Sequence, residues 1–123
     1  MASDDIDGFL PLPASVMHIL VALADGEKHG YAIMRDVAEL SSGTVRMGSG
    51  TLYGSIKRML DQGLIEEADE RPDPALDDQR RRYYRLTALG QRVGAAEQRR
   101  LSALLDAARM RQLGLGPALG GAW

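Results

Sequence analysis

The chain has no cysteine. Disulfides, thiolate metal sites and a cysteine nucleophile are therefore excluded at the outset. His18 and His29 are the only histidines, and neither stands in a His/Asp/Glu grouping with metal-ligand spacing. No apolar run reaches the length of a membrane span. Residues Met1 to Gly8 are acidic rather than a basic leader, so a soluble, cytoplasmic protein is expected. A surplus of positive charge is also missing: the net charge is −2 and the pI about 5.6. This argues against indiscriminate nucleic-acid binding but leaves room for a local basic surface. Signs of enzymatic chemistry are lacking too. There is no phosphate-binding glycine motif, nucleophile elbow or paired-carboxylate arrangement, and Gly48-Ser49-Gly50 lacks the strand that a phosphate loop follows. Neither an enzyme nor a cofactor is expected.

What is present is an ordinary globular composition: 123 residues, 45% hydrophobic and 26% charged. That length suits one domain with a modest core plus one appended element. Met1 to Pro13 carries Asp4, Asp5 and Asp7 and two prolines, and reads as a loose arm that tightens near Phe9 and Leu10. Val16, Ile19, Leu20 and Leu23 then form a helical stripe over Ala14 to Asp25, with Pro13 at its start and Gly26 at its end. A second helix follows from His29-Gly30-Tyr31 to about Leu40, with Ile33, Met34, Val37 and Leu40 inward. Ser41-Ser42-Gly43 breaks it, and Thr44 to Gly50 is a loop.

The chain is organised around Gly50 to Ile65. Ser49 or Thr51 can cap a helix start, and Leu52, Ile56, Met59 and Leu60 give that helix one apolar face. Tyr53, Ser55, Lys57 and Arg58 fall on or beside the other face, and Gln62-Gly63 stops the helix. A short helix with one small, polar, basic face is what a DNA major groove admits. Leu64 to Ala68 and Arg81 to Leu86 read as two strands. Between them lies a Pro-containing acidic tip, Asp69 to Gln79. Two strands placed directly after such a helix make a wing.

Thr87 caps a last helix of about 25 residues, ~38 Å at 1.5 Å per residue. Its stripe of Leu89, Val93, Glu97, Leu101, Leu104, Leu105 and Ala108 runs longer than so small a domain needs. Val93, Leu101, Leu104, Leu105 and Ala108 are therefore expected in a homodimer seam. The fold class that follows is mainly α with a small β-hairpin, a winged helix-turn-helix plus a long C-terminal dimerisation helix. Its divisions are an arm at 1–11, the DNA-binding domain at 12–87, the dimerisation helix at 88–113 and a flexible tail at 114–123. Trp123, at the end of that tail, is assigned no role.

From Leu12 to about Leu105 the sequence resembles the PadR family of bacterial transcriptional regulators. The resemblance rests on H-G-Y at His29 to Tyr31, G-T-L-Y at Gly50 to Tyr53, G-L-I at Gly63 to Ile65, and R-R-Y-Y-R-L-T at Arg81 to Thr87 with Gly90 after it. Each piece alone is weak; their order and spacing carry the likeness. It implies a winged helix-turn-helix, dimerisation through the C-terminal part, and repression relieved by a small ligand or other signal. One departure is Gly54, where the family often has Pro. Gly costs roughly 1 kcal/mol of helix propensity relative to Ala, so it either softens the first turn or brings backbone closer to a phosphate.

The candidate contacts to double-stranded DNA are Ser49, Thr51, Tyr53, Ser55, Lys57, Arg58, Arg80, Arg81 and Arg82. The small donors stand near a helix N-terminus, where an anion is favoured, and their other role is capping. Tyr53 either touches DNA or packs against the wing. Arg80 and Arg82 share one strand parity and Arg81 and Arg85 the other, so only half of this cluster faces one side. His18 reads as a helix-surface or core residue, and His29 as ordering the start of the second helix. A winged-helix module that binds a protein instead of DNA is the competing reading, motivated by the acidic balance and the acidic tip.

Overall fold

The computed structural model describes residues 6–69, 71–72 and 80–114. Among them run four helices: α1 (Ala14–Leu23), α2 (Gly30–Leu40), α3 (Ser49–Asp61) and α4 (Ala88–Met110). The strands are β1 (Lys28–His29), β2 (Ile65–Glu67), β3 (Arg71–Pro72), β4 (Arg80–Arg81) and β5 (Tyr83–Leu86). The expected class, mainly α with a hairpin, is the one observed. β5 is the middle of a three-stranded antiparallel sheet, with β1 on one side and β2 on the other. Tyr84 faces Lys28 across one edge and Glu67 across the other. β3 and β4 pair separately as the outer part of the wing. β1 carries no signal in the sequence, because two residues are too few to show alternation.

The core lies where α1, α2, α3, the sheet and the first half of α4 converge. Ile19, Ile33, Val37, Leu52, Met59, Leu64 and Val93 are completely buried there, each worth roughly 1.5–3 kcal/mol in water-avoiding surface. Helix ends are set by local chemistry. Gly63 has φ +78, a left-handed position that costs a glycine little. It lets Gly63 N donate to Leu60 O at 3.1 Å and Leu64 N donate to Met59 O at 2.9 Å, so the last carbonyls of α3 are satisfied. At α4, the Thr87 hydroxyl accepts from Gly90 N at 3.0 Å, as its position implies. The same hydroxyl donates to Gly63 O at 2.6 Å, tying the start of α4 to the end of α3.

Four expectations change. The arm is packed from Ile6 onward: Ile6 and Asp7 are helical and Ile6 is buried in the core. Leu40, the last residue of α2, is 49% exposed rather than inward. Val93 is fully buried within its own domain, so it is a core residue and not a seam residue. Glu97, placed on the same stripe, is 1% exposed; it accepts from Leu12 N at 3.0 Å and from Arg100 Nε at 2.5 Å. α4 has 23 residues, ~34 Å at 1.5 Å per residue. Most of the acidic tip and all of the tail after Gly114, with Trp123, lie outside the described residues.

Candidate nucleic-acid interface

α3 presents its apolar side, Leu52, Ile56 and Met59, to the core. Taking 100° per residue, the outward line is Gly50, Gly54, Lys57 and Asp61. Ser49, Thr51, Tyr53, Lys57 and Arg58 are exposed, which suits them for contact. Ser55 is not: it is 5% exposed and faces inward with Leu52 and Ile56. Its position three residues after Leu52 puts it on the edge of the buried arc, where a small side chain fits without leaving a gap. Ser55 is therefore removed from the surface set.

The start of α3 also differs from expectation. Gly48, with extended backbone, holds the capping position, and neither Ser49 nor Thr51 caps the helix with its side chain. The first-turn N–H groups thus have no side-chain acceptor from within the cap, while the helix dipole favours an anion at that end. Gly50 and Gly54 stand in open space, since an added Cβ at either would meet nothing within 4 Å. Arg46 is a further cation at this end, missed by the sequence reading. It is exposed just before α3 and donates through Nε to Gly43 O at 3.3 Å. Its position in a Gly/Ser-rich turn, rather than on a periodic element, gave no signal.

Tyr53 is 46% exposed, and its ring lies across the start of α2. A Cβ added at Gly30 would come within 2.3 Å of the Tyr53 hydroxyl oxygen. Gly30 is thus the seat of Tyr53, and the ring leans on α2. His29, beside it, caps α2 by accepting from Ala32 N through Nδ1 at 3.1 Å and sets its ring edge-on to Tyr83. This is the ordering role expected of it. His18 is a partly exposed residue of α1, its Nδ1 2.6 Å from Ala14 O.

The wing arginines divide. Arg85 is held by Glu66 at 2.8 Å and Glu27 at 3.2 Å, and these carboxylates push its guanidinium pKa further up. Arg82 is exposed and lies 3.5 Å from Glu67. Although Arg82 shares parity with buried Tyr84, it sits in the break between β4 and β5 and belongs to neither strand. Simple alternation therefore fails at that point. Burial raises the Tyr84 phenol pKa, Tyr53 and Glu67 add to the rise, and Arg82 opposes it. Arg80 and Arg81 form β4. Among the described residues, Lys57 pairs with Asp61 at 3.5 Å, both groups largely exposed; such a pair is weak and easily exchanged.

α4 sits on this unit by a close backbone approach. A Cβ at Gly90 would come 2.0 Å from Leu64 O, so only glycine lets the helix cross there. Beyond Glu97 the same helix is open. Leu101, Leu104 and Leu105 are 39%, 61% and 50% exposed, and Ala108 is half-buried. Among the described residues, no helix is long and apolar enough to cross a membrane.

The sequence motifs thus interlock in pairs. H-G-Y supplies the glycine on which the tyrosine of G-T-L-Y rests, and G-L-I supplies the carbonyls that Thr87 and Gly90 meet. Comparison with known proteins agrees. Residues 19–96 match the family described as "Transcriptional regulator PadR-like family". The chain is 36% identical over 84 residues to "Transcriptional regulator Rv3488" of Mycobacterium tuberculosis, covering 68% of this chain and 71% of that protein. It is also 40% identical over 55 residues to an uncharacterized 37.1 kDa protein in a transposon of Streptomyces fradiae, but spans only 15% of that protein's length. Among solved structures, the fold is similar to a PadR-like transcriptional regulator from Bacillus cereus, with TM-score 0.67 and 19% identity over 90% of this chain and 98% of that one. It is similar too to Bacillus subtilis PadR in complex with operator DNA, with TM-score 0.58 and 21% identity over 68% of this chain and 47% of that one. By its motifs, their contacts and these matches, the chain belongs to the PadR-like family of transcriptional regulators.

Proposed function

We propose that the protein is a cytoplasmic repressor that binds a pseudo-palindromic operator as a homodimer and is released by a small effector or other signal. The observation that carries this reading is α3. One helix exposes Ser49, Thr51, Tyr53, Lys57 and Arg58 at and beyond an end whose first N–H groups are free of side-chain caps. The operator-bound state of the Bacillus subtilis relative supports it. In the dimer, two such helices enter successive major grooves about 34 Å apart. Arg46 and Arg82 reach the flanking phosphates, and Arg80 and Arg81 on β4 add to the wing's charge. The exposed Leu101, Leu104 and Leu105, with Ala108 beside them, form the seam between subunits.

Fluorescence anisotropy with duplexes from the gene's upstream region tests this. Lys57→Ala and Arg58→Ala each lower affinity, and each reduces the salt slope by about one if a phosphate contact is lost. Unchanged affinity and slope in the double variant sink the assignment of α3. The competing reading, a winged helix that binds a protein, draws on the neutralisation of Arg85 by Glu27 and Glu66 and the closeness of Glu67 to Arg82. Failure to bind any duplex at low salt favours it.

A further inference from the structure

A cleft of about 230 Å³ opens between the N-terminal arm and the last turn of α3. Its walls are Phe9 and Leu12 from the arm, Pro13 and Val16 at the start of α1, and Arg58 and Gln62 from α3. Three features make it more than a surface dent. Its inner wall is fixed, because Val16 is buried at 2% exposure and Leu12 N is bonded to the buried Glu97 carboxylate at 3.0 Å. The walls are chemically divided: apolar groups line the arm side, and one guanidinium with one amide lines the helix side. Arg58 has no ion-pair partner among the described residues, unlike Lys28, Arg85 and Arg100.

We propose that this cleft binds a small organic anion, with its carboxylate on Arg58 and Gln62 and its apolar body against Phe9, Leu12 and Pro13. At ~30 Å³ per water the space equals about seven or eight waters. It is smaller than the 300–1,000 Å³ typical of drug-sized ligands, which limits the ligand to roughly ten non-hydrogen atoms. A planar guanidinium donates a matched pair of hydrogen bonds to a carboxylate, whereas an uncharged analogue leaves that group without its charge partner. Binding has a consequence for regulation, which rests on the DNA-contacting role of α3 proposed above. An anion in the cleft claims Arg58 and wedges the arm against the last turn of α3, so ligand and operator compete.

Benzoate and its uncharged counterpart benzamide are suitable probes, titrated into the full chain without DNA and followed by NMR of amide and arginine side-chain signals. Benzoate shifts Arg58 Nε and the amides of Phe9, Leu12 and Gln62, and benzamide binds at least about tenfold more weakly. Arg58→Gln weakens benzoate by about tenfold without lowering the melting temperature of the free protein. Phe9→Ala weakens benzoate and benzamide alike. Lys57→Gln, on the outward line of α3, keeps benzoate binding. No saturable shifts, shifts that map instead to a second groove, between α1 and α4, lined by Met17, Val21 and Gln98, or normal benzoate binding by Arg58→Gln would each overturn the site. Adding operator separates the two proposals. If changing Lys57 and Arg58 together to Ala leaves operator affinity and salt slope unchanged while benzoate still shifts Arg58 in the native chain, the DNA reading falls and the cleft stands.

Discussion

Along α4, Gly90, Val93, Ala96 and Glu97 are buried, whereas Leu101, Leu104 and Leu105 are 39%, 61% and 50% exposed. The stripe does not change at the boundary: steps of three and four residues run through both halves, and propensity is similar. What changes is the partner. The first half finds α1, β5 and the Leu64 backbone within its own chain, and the second half runs past them. An apolar periodicity therefore shows that a face is meant to be covered, and only the fold shows by what. The first half is part of a domain core, and the second is the surface proposed for a second subunit.

The sharpest way to test this division is Gly90→Ala. Its Cβ would lie 2.0 Å from Leu64 O, a backbone atom that cannot swing aside, so α4 must lift off the wing base. A loss of at least about 3 kcal/mol is expected, beyond ordinary overpacking, and chemical denaturation measures it. Val93→Ala comes next, losing about 2–3 kcal/mol because the site is fully closed.

Glu97→Gln follows, at about 1–2 kcal/mol for weakening a charged, buried hydrogen-bond set. It also changes the acid response. Arg100 lowers the Glu97 carboxyl pKa first, burial works against that, and the Leu12 N–H adds to the lowering. A depressed folded pKa contributes stability above the ordinary carboxylate value of 4.5, which is lost as pH falls through the folded value. Denaturation from neutral to acid pH therefore shows a steeper decline in the native protein than in Glu97→Gln. The smallest effect on folding belongs to Leu104→Gln with Leu105→Gln, within about 0.5 kcal/mol for the isolated subunit. Sedimentation should nonetheless show association weakened at least about tenfold. If unfolding of the subunit suffers as much as with Val93→Ala, the two halves are not distinct.

Much of the fold was legible because its signals are local. The α3 stripe, the stop at Gly63 and the cap at Thr87 each need only a few neighbouring residues to recognise. Some of what was missed had a cause distant in sequence. Glu97 looks like a polar interruption of an apolar seam until Leu12, 85 positions away, supplies an N–H. Gly30 shows no role in the sequence until Tyr53 lies across it. Within the candidate interface, Lys57 and Arg58 followed from helical geometry, while Ser55 was misplaced because only apolar residues were used to draw the buried arc. Arg46 escaped notice because an irregular turn has no period from which to infer direction.

The Thr87 hydroxyl, bonded to Gly63 O and lying 3.1 Å from Leu64 O, has a consequence for how the molecule can vary. It closes the wing at its base, where the chain leaves α3 and enters α4. Ile65 facing Leu86 and Glu67 facing Tyr84 complete the closure. The chain between Glu67 and Tyr83 can then lengthen or shorten without shifting either helix, because the entropy of closing a connection grows only slowly with its length. In the proposed complex, reach along a duplex becomes a property adjustable by insertion, while the part that sets the angle of α3 stays bolted in place.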